Sequence, residues 1–173
     1  MKKLISKILT IALSLVTFLG LVLDKFVEAK VDTVIGTSKP TFYNFTEWFD
    51  YITDFVELKE LTWMPIAQYL IYGALVFAGI TIILVALQFF IRNKNLNTFV
   101  VTVSVVDIAI GLVTLLSLVL GIKELNDYLS TSIASIQYSL QLAAYIVPLG
   151  AILGGAFGLT ATNSVKSKSK KRR

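Results

Sequence analysis

Three long stretches of this 173-residue sequence are almost free of charge, and they decide what the chain can fold into. Residues 65–91 and 132–162 carry no charged side chain, and residues 98–122 carry only Asp107. About 20 apolar residues suffice for a helix to cross the hydrocarbon of a bilayer. Inside lipid a segment must satisfy its own backbone hydrogen bonds, so each stretch is predicted to be a transmembrane helix.

A fourth apolar stretch, residues 4–23, allows two interpretations. It contains one charge, Lys7, and is long enough to stay in the membrane as a helix. Its basic start and the small-residue site that ends at Ala29 are also typical of a cleaved signal peptide. We therefore expect an all-α fold: a polytopic membrane helix bundle with four transmembrane helices, or three if the first is removed.

The distribution of charge predicts the orientation of the bundle. The loops at 24–64 and 123–131 hold ten acidic residues and five lysines. The other side of the membrane holds only basic residues, and the positive-inside rule places it in the cytoplasm, in what we expect to be a bacterial cell membrane. The basic tail at 163–173 is expected to attract the anionic inner leaflet, with no nucleic-acid partner. The eleven basic residues of this side are Lys2, Lys3, Lys7, Arg92, Lys94, Lys166, Lys168, Lys170, Lys171, Arg172 and Arg173.

The outer loop at 24–64 contains a predicted amphipathic helix over 44–60. Asn44 and Glu47 have the spacing of a capping box, in which each side chain bonds the other's backbone N–H. The opposite face is acidic, which is unusual for a helix that lies on lipid. Two placements stay open, on the outer bilayer surface or as a cap on the bundle, and the acidic face favours capping or contact with a partner. The apolar face consists of Phe45, Trp48, Phe49, Ile52, Phe55 and Val56.

Asp107 is the residue of the membrane stretches that most needs an explanation. An ionised carboxylate there costs at least about 2.5–3.5 kcal/mol, and no basic residue lies in the same stretches as a counter-charge except Lys7 near one end. We expect a neutral carboxyl that faces the bundle interior. Its role is a structural hydrogen bond, a contact between subunits, or a site for an ion or proton. The small and polar stripe that contains it is Ser104, Asp107, Gly111 and Thr114, with Gly121 further along.

The last membrane stretch carries a glycine zipper. Residues without bulky side chains recur on one helical face, which lets two helix backbones approach closely. The partner is another helix of this bundle, a second copy of the chain, or a different membrane protein. Pro148 is expected to kink this helix. The face consists of Ser139, Ala143, Gly150, Gly154 and Gly158.

Catalysis is disfavoured by composition. The chain has no Cys and no His, which removes thiolate nucleophiles, imidazole bases and most metal ligands. No second intramembrane Asp pairs with Asp107, and no glycine loop that could hold a phosphate precedes a helix. We expect neither an enzyme nor a cofactor or metal site.

Three functions are compatible with these features. The first is a non-catalytic interaction, accessory or protective subunit, similar to immunity proteins, that contacts another membrane protein or itself. The second is an ion- or proton-conducting protein that uses Asp107, and the third is a holin-like protein that permeabilises the membrane. Four spans and a long first outer loop resemble the tetraspan plan of the claudins. The claudin signature requires a cysteine pair that this chain lacks, so no residue or function is carried over.

Overall fold

Four of the five helices in the computed structural model are long and apolar enough to cross a membrane, which confirms the predicted multi-pass helix bundle. The structure describes residues 2–33, 36–56, 61–91, 93–129 and 134–163. In chain order its elements are α1 (Lys2–Val22), β1 (Val27–Thr33), β2 (Gly36–Thr37), β3 (Thr41–Tyr43), α2 (Phe45–Val56), α3 (Trp63–Phe90), α4 (Lys94–Leu129), β4 (Ala134–Leu140) and α5 (Leu142–Asn163).

The four long helices form a closed ring. Helix α5 packs between α1 and α4, and α3 packs between α4 and α1. The stripe of α1 that turns inward is small or polar, and α5 meets it with glycines, so the two helices approach closely. The inward stripe of α1 consists of Ser6, Thr10, Ser14, Thr17 and Gly20.

A small antiparallel sheet covers one end of the ring, so the fold is mainly helical, as predicted, but not all-α. Strand β1 lies in the middle, with β4 along one edge and β2 followed by β3 along the other. The register of β1 with β3 differs by one residue from its register with β2. Pro40 lies between β2 and β3 and has no N–H to donate to a neighbouring strand. The four strands and α2 are called the cap below.

The strands explain why the last membrane span was predicted too long. Residues 134–140 alternate between apolar and polar side chains, the period of a half-buried strand, and they pair with β1 along its whole length. The described part of the span predicted at 132–162 is therefore a strand followed by α5, whose candidate membrane segment is Leu142–Ala161. Ser139 lies on β4 and not on the glycine face of the helix. Helix α4 is longer than predicted and ends at Leu129.

Helix α2 caps the bundle. Asn44 Oδ1 accepts the backbone N–H of Glu47 at 2.9 Å, and the Glu47 carboxylate accepts the N–H of Asn44 at 3.1 Å. The described side chains of its apolar face are buried against the sheet and the end of α3, at most 5% exposed, so this face is not on a bilayer surface. They are Phe45, Trp48, Phe49 and Ile52. The side chains of Phe55 and Val56 lie outside the described part of the chain.

Two side chains of α4 form hydrogen bonds at the end of the bundle that carries the cap, one to the start of α3 and one to the edge of β4. Glu124 accepts the backbone N–H groups of Thr62 and Trp63 at 2.9–3.0 Å, which supplies acceptors at the start of α3, where the helix itself has none. The Asn126 amide exchanges two hydrogen bonds with the backbone of Tyr138, at 2.7 and 2.9 Å. Asn126 thus pairs with the outer edge of β4 as a neighbouring strand would.

Candidate functional sites in the bundle and the cap

Asp107 lies inside the bundle and is 1% exposed. Its partner is Thr81 of α3, whose hydroxyl donates to Asp107 Oδ2 over 2.5 Å. Helices α3 and α4 pack against each other, and Thr81 lies nine residues before the end of α3 while Asp107 lies thirteen residues after the start of α4. The sequence predicts that Asp107 faces the bundle interior, but it does not identify Thr81 as the hydrogen-bond partner.

Glycines of α5 bring its backbone against α4 beside Asp107. A Cβ added to Gly155 would lie 2.5 Å from the backbone oxygen of Ser104 and 3.2 Å from Asp107 Cβ. One added to Gly111 would lie 2.8 Å from the backbone oxygen of Pro148. The structure therefore buries the predicted stripe of Ser104, Asp107, Gly111 and Thr114, and packs α5 against much of it.

The chemistry available at Asp107 is narrow. Among the described residues its second oxygen, Oδ1, has no hydrogen-bond partner, and the Ser104 hydroxyl beside it has none either. The side-chain network around Asp107 thus consists of the single link to Thr81. No group of three or more acidic residues that could hold a metal ion occurs in the part of the chain that the structure describes. A neutral carboxyl buried among hydroxyls fits this arrangement, since it avoids burying an uncompensated charge.

The glycine zipper of α5 is covered by α1. A Cβ on Gly150 would lie 2.7 Å from the backbone nitrogen of Thr17, and one on Gly154 would lie 3.2 Å from that of Ser14. In the other direction, a Cβ on Gly20 of α1 would lie 2.9 Å from the backbone oxygen of Ala143. The structure thus places Ala143, Gly150, Gly154 and Gly158 inside the bundle, where they are not available to a second chain. Pro148 lies within α5, which continues through it.

The cap contains an aromatic core with two hydroxyls inside it. The rings of Tyr43 and Tyr51 stack at 5.4 Å, and the Tyr51 and Tyr138 hydroxyls share a hydrogen bond of 2.8 Å. Burial raises the pKa of Tyr138, and the hydrogen bond to Tyr51 raises it further. Burial also raises the pKa of Tyr43. Both phenols are thereby held in the neutral form.

These shifts predict that the cap loses stability at alkaline pH. The unfolded cap would release the phenol protons near the ordinary pKa of 10.0, whereas the folded cap retains them to higher pH. Their contribution is therefore full below about pH 10 and falls as the pH rises further. A pH titration followed by near-ultraviolet circular dichroism should show the loss. In Tyr138→Phe, the alkaline transition should move to higher pH, and an unchanged transition would contradict the assignment.

The outward surfaces of the cap and of the opposite end carry opposite charge. Glu47, Asp50 and Asp54 of α2 are exposed, and they form the described part of its acidic face. Lys3 and Lys94 are exposed at the other end of the bundle. The predicted lipid-binding residues at 166–173 lie outside the described residues.

Two side chains of α4, which bond the start of α3 and the edge of β4, were not predicted as linking residues from the sequence. Glu124 and Asn126 were assigned to an outer loop, because the membrane stretch before them was taken to end near residue 122. Their roles depend on α4 continuing beyond the apolar stretch. The chain matches no protein-family model and no curated protein, so its function has to be inferred from the residues described above.

Proposed function

We propose that the chain is a non-catalytic accessory or protective subunit of the bacterial cytoplasmic membrane, which presents its cap to a partner on the outer side. The observation that carries this proposal is the construction of the cap. Two separate segments of the chain form one sheet, and the Asn126 amide of α4 holds the edge of β4 through two hydrogen bonds. A membrane anchor has no need of such a rigid cap, whereas a recognition surface does.

The charge of the cap indicates the chemistry of the partner. Residues 24–64 and 123–131, the predicted outer side of the chain, contain ten acidic residues against five lysines, and the acids at Glu47, Asp50 and Asp54 of α2 are exposed. Complementary charge speeds association and excludes partners of the wrong sign. The partner we favour is another membrane protein with a basic surface close to the bilayer. The positive-inside rule supports a cytoplasmic C-terminus.

Retention of α1 belongs to the same proposal. The buried stripe of Thr10, Ser14 and Thr17 covers the glycines of α5, and removal of α1 as a signal peptide would leave that face without its partner. The intact mass of the purified protein is therefore expected to include residues 1–29. A mass that lacks them would leave three spans and contradict this part of the proposal.

Photo-crosslinking tests the proposed surface. A photoreactive residue placed at Asp50 or Asp54 should give a crosslinked protein product in cells, whereas Val76 and Leu112, which are exposed on the membrane helices, serve as controls. The triple variant Glu47→Gln, Asp50→Asn, Asp54→Asn, with the photoreactive residue moved to Thr53, should lose the product. Products only from Val76 or Leu112, or a product that survives the charge-neutral variant, would contradict the proposal.

A transport function is the second candidate, because Asp107 Oδ1 has no partner among the described residues. Under our proposal Asp107→Asn should change the free energy of unfolding by less than about 1 kcal/mol, since an amide replaces a neutral carboxyl of the same shape. Liposomes containing either protein should show the same ion and proton flux as empty liposomes. Flux through the wild type that disappears in Asp107→Asn would favour transport. Leakage caused by expression alone would instead favour the holin-like function.

A further inference from the structure

A cavity of about 530 Å³ opens at the end of the bundle away from the cap. The ends of all four long helices contribute to it, so it is a feature of the assembled bundle and not of one loop. Its volume lies within the range of ordinary small-ligand sites. Its polar lining consists of Lys3, Lys7, Gln88, Asn93, Lys94 and Asn97.

The described residues that line the cavity include three lysines and no acidic side chain. Lys3 and Lys7 come from α1, and Lys94 comes from α4. The sequence contains no Asp or Glu in residues 1–23, 61–106 or 128–173. Asp107 is about 20 Å further along α4 from Lys94, at 1.5 Å per helical residue. Three like charges around one cavity repel each other, and a bound anion would remove that repulsion.

The lysine in the middle of this group is held in place. Lys7 Nζ donates to the backbone oxygen of Gln88 over 2.8 Å, and it lies 4.9 Å from the centre of the Phe89 ring. Gln88 itself is 6% exposed and donates through Nε2 to Asn97 Oδ1 over 2.9 Å. The cavity wall is thus fixed by side-chain contacts between α1, α3 and α4. Ligands bind more tightly to groups that are already positioned.

One side of the cavity is apolar and faces outward from the bundle. Leu4, Phe89 and Ile91 line it and are 52%, 42% and 50% exposed. They lie at the ends of helices that are long enough to cross a membrane, at the depth where lipid headgroups meet hydrocarbon. A ligand that fills both sides needs an anionic group for the lysines and an alkyl chain for this wall. We propose that the cavity binds the phosphate headgroup of an anionic phospholipid, with its acyl chains against Leu4 and Ile91.

Lipid-dependent melting of the purified full-length protein tests this proposal. In detergent, added phosphatidylglycerol should raise the melting temperature, whereas phosphatidylcholine and inorganic phosphate should raise it much less. The variant Lys3→Gln, Lys94→Gln keeps the Lys7–Gln88 hydrogen bond and should bind phosphatidylglycerol roughly thirtyfold more weakly, the loss expected for two basic groups near an anionic surface. Each shift is measured from the variant's own melting temperature without lipid, so a general loss of stability does not mimic the effect.

The basic tail provides the matched control. Lys166→Gln, Lys168→Gln removes the same amount of charge from the C-terminal tail and should leave the phosphatidylglycerol affinity within about twofold, since the proposal assigns headgroup binding to Lys3, Lys7 and Lys94. Three results would each overturn the proposal. They are an equal shift with phosphatidylcholine, a full shift with inorganic phosphate alone, and loss of affinity in the tail variant but not in the cavity variant.

Discussion

Gly150→Leu is expected to be among the most damaging substitutions in the membrane helices. A side chain at this position would start 2.7 Å from the backbone nitrogen of Thr17 and 2.9 Å from its Cα, and backbone atoms cannot rotate away as a side chain can. Helix α1 would have to separate from α5. Overpacking of this kind costs about 1–3 kcal/mol and occasionally more. We expect the midpoint of thermal unfolding in detergent, followed by circular dichroism, to fall by roughly 6–12 °C for a loss of 3 kcal/mol.

Two glycine-to-alanine substitutions, one at an open position and one at the helix contact, provide the control. At Gly79 an added Cβ would meet Phe18 Cζ at 3.9 Å, an ordinary contact, and alanine is up to about 1 kcal/mol better than glycine within a helix. Gly79→Ala should therefore leave the melting temperature unchanged or raise it, whereas Gly150→Ala should lower it. Equal melting temperatures for the two variants would contradict the close contact between α1 and α5.

The membrane helices and the start of α2 could be predicted because their signals are local. An uncharged stretch of sufficient length has to be helical in lipid, whatever surrounds it. The capping box needs only Asn44 and Glu47, three residues apart, and both of its hydrogen bonds are present. Such features depend on neighbouring residues and on the solvent, so they can be inferred without knowledge of the fold.

The sheet was missed although its pattern is present in the sequence. In β1, Val27, Ala29 and Val31 alternate with charged residues, and β4 alternates in the same way. Period-two alternation predicts a half-buried strand. In β4 the polar residues are uncharged. A membrane span predicted from the absence of charged residues therefore included this strand together with the helix that follows it. Periodicity and charge gave different answers over 134–140, and periodicity was the correct guide.

The partners inside the bundle could not be predicted, because they depend on which helices are neighbours. The stripe around Asp107 predicts an inward face but does not say whether α1, α3 or α5 covers it. The structure gives Thr81 of α3 as the hydrogen-bond partner and Gly155 of α5 as the close neighbour. The same holds for Asn126, whose amide meets a strand edge that had not been foreseen. Sequence patterns define faces, and tertiary packing decides what each face meets.

Trp48→Ala is expected to unfold the cap while the membrane helices stay in place. The indole is fully buried, and its ring centre lies 5.8 Å from that of Tyr43 and 5.2 Å from that of Tyr138, so it joins β3, α2 and β4. Replacing such a side chain by alanine costs about 3–5 kcal/mol. Cleavage by trypsin after Lys30 reports the unfolding of the cap, because Lys30 lies in β1. Strand β4 pairs with the full length of β1, and β2 and β3 pair with the two ends of its other edge.

In the wild type the bond after Lys30 should resist trypsin, and in Trp48→Ala it should be cleaved much faster, with helical circular dichroism largely retained. Trp63 supplies the matched control, since it is 37% exposed at the start of α3 and its replacement by alanine removes the same chemical group. Trp63→Ala should keep Lys30 protected. If Trp48→Ala also keeps it protected, the cap is not held together by this aromatic core. If Lys30 is exposed and the crosslink at Asp50 is lost as well, the partner recognises the folded cap and not merely its charge.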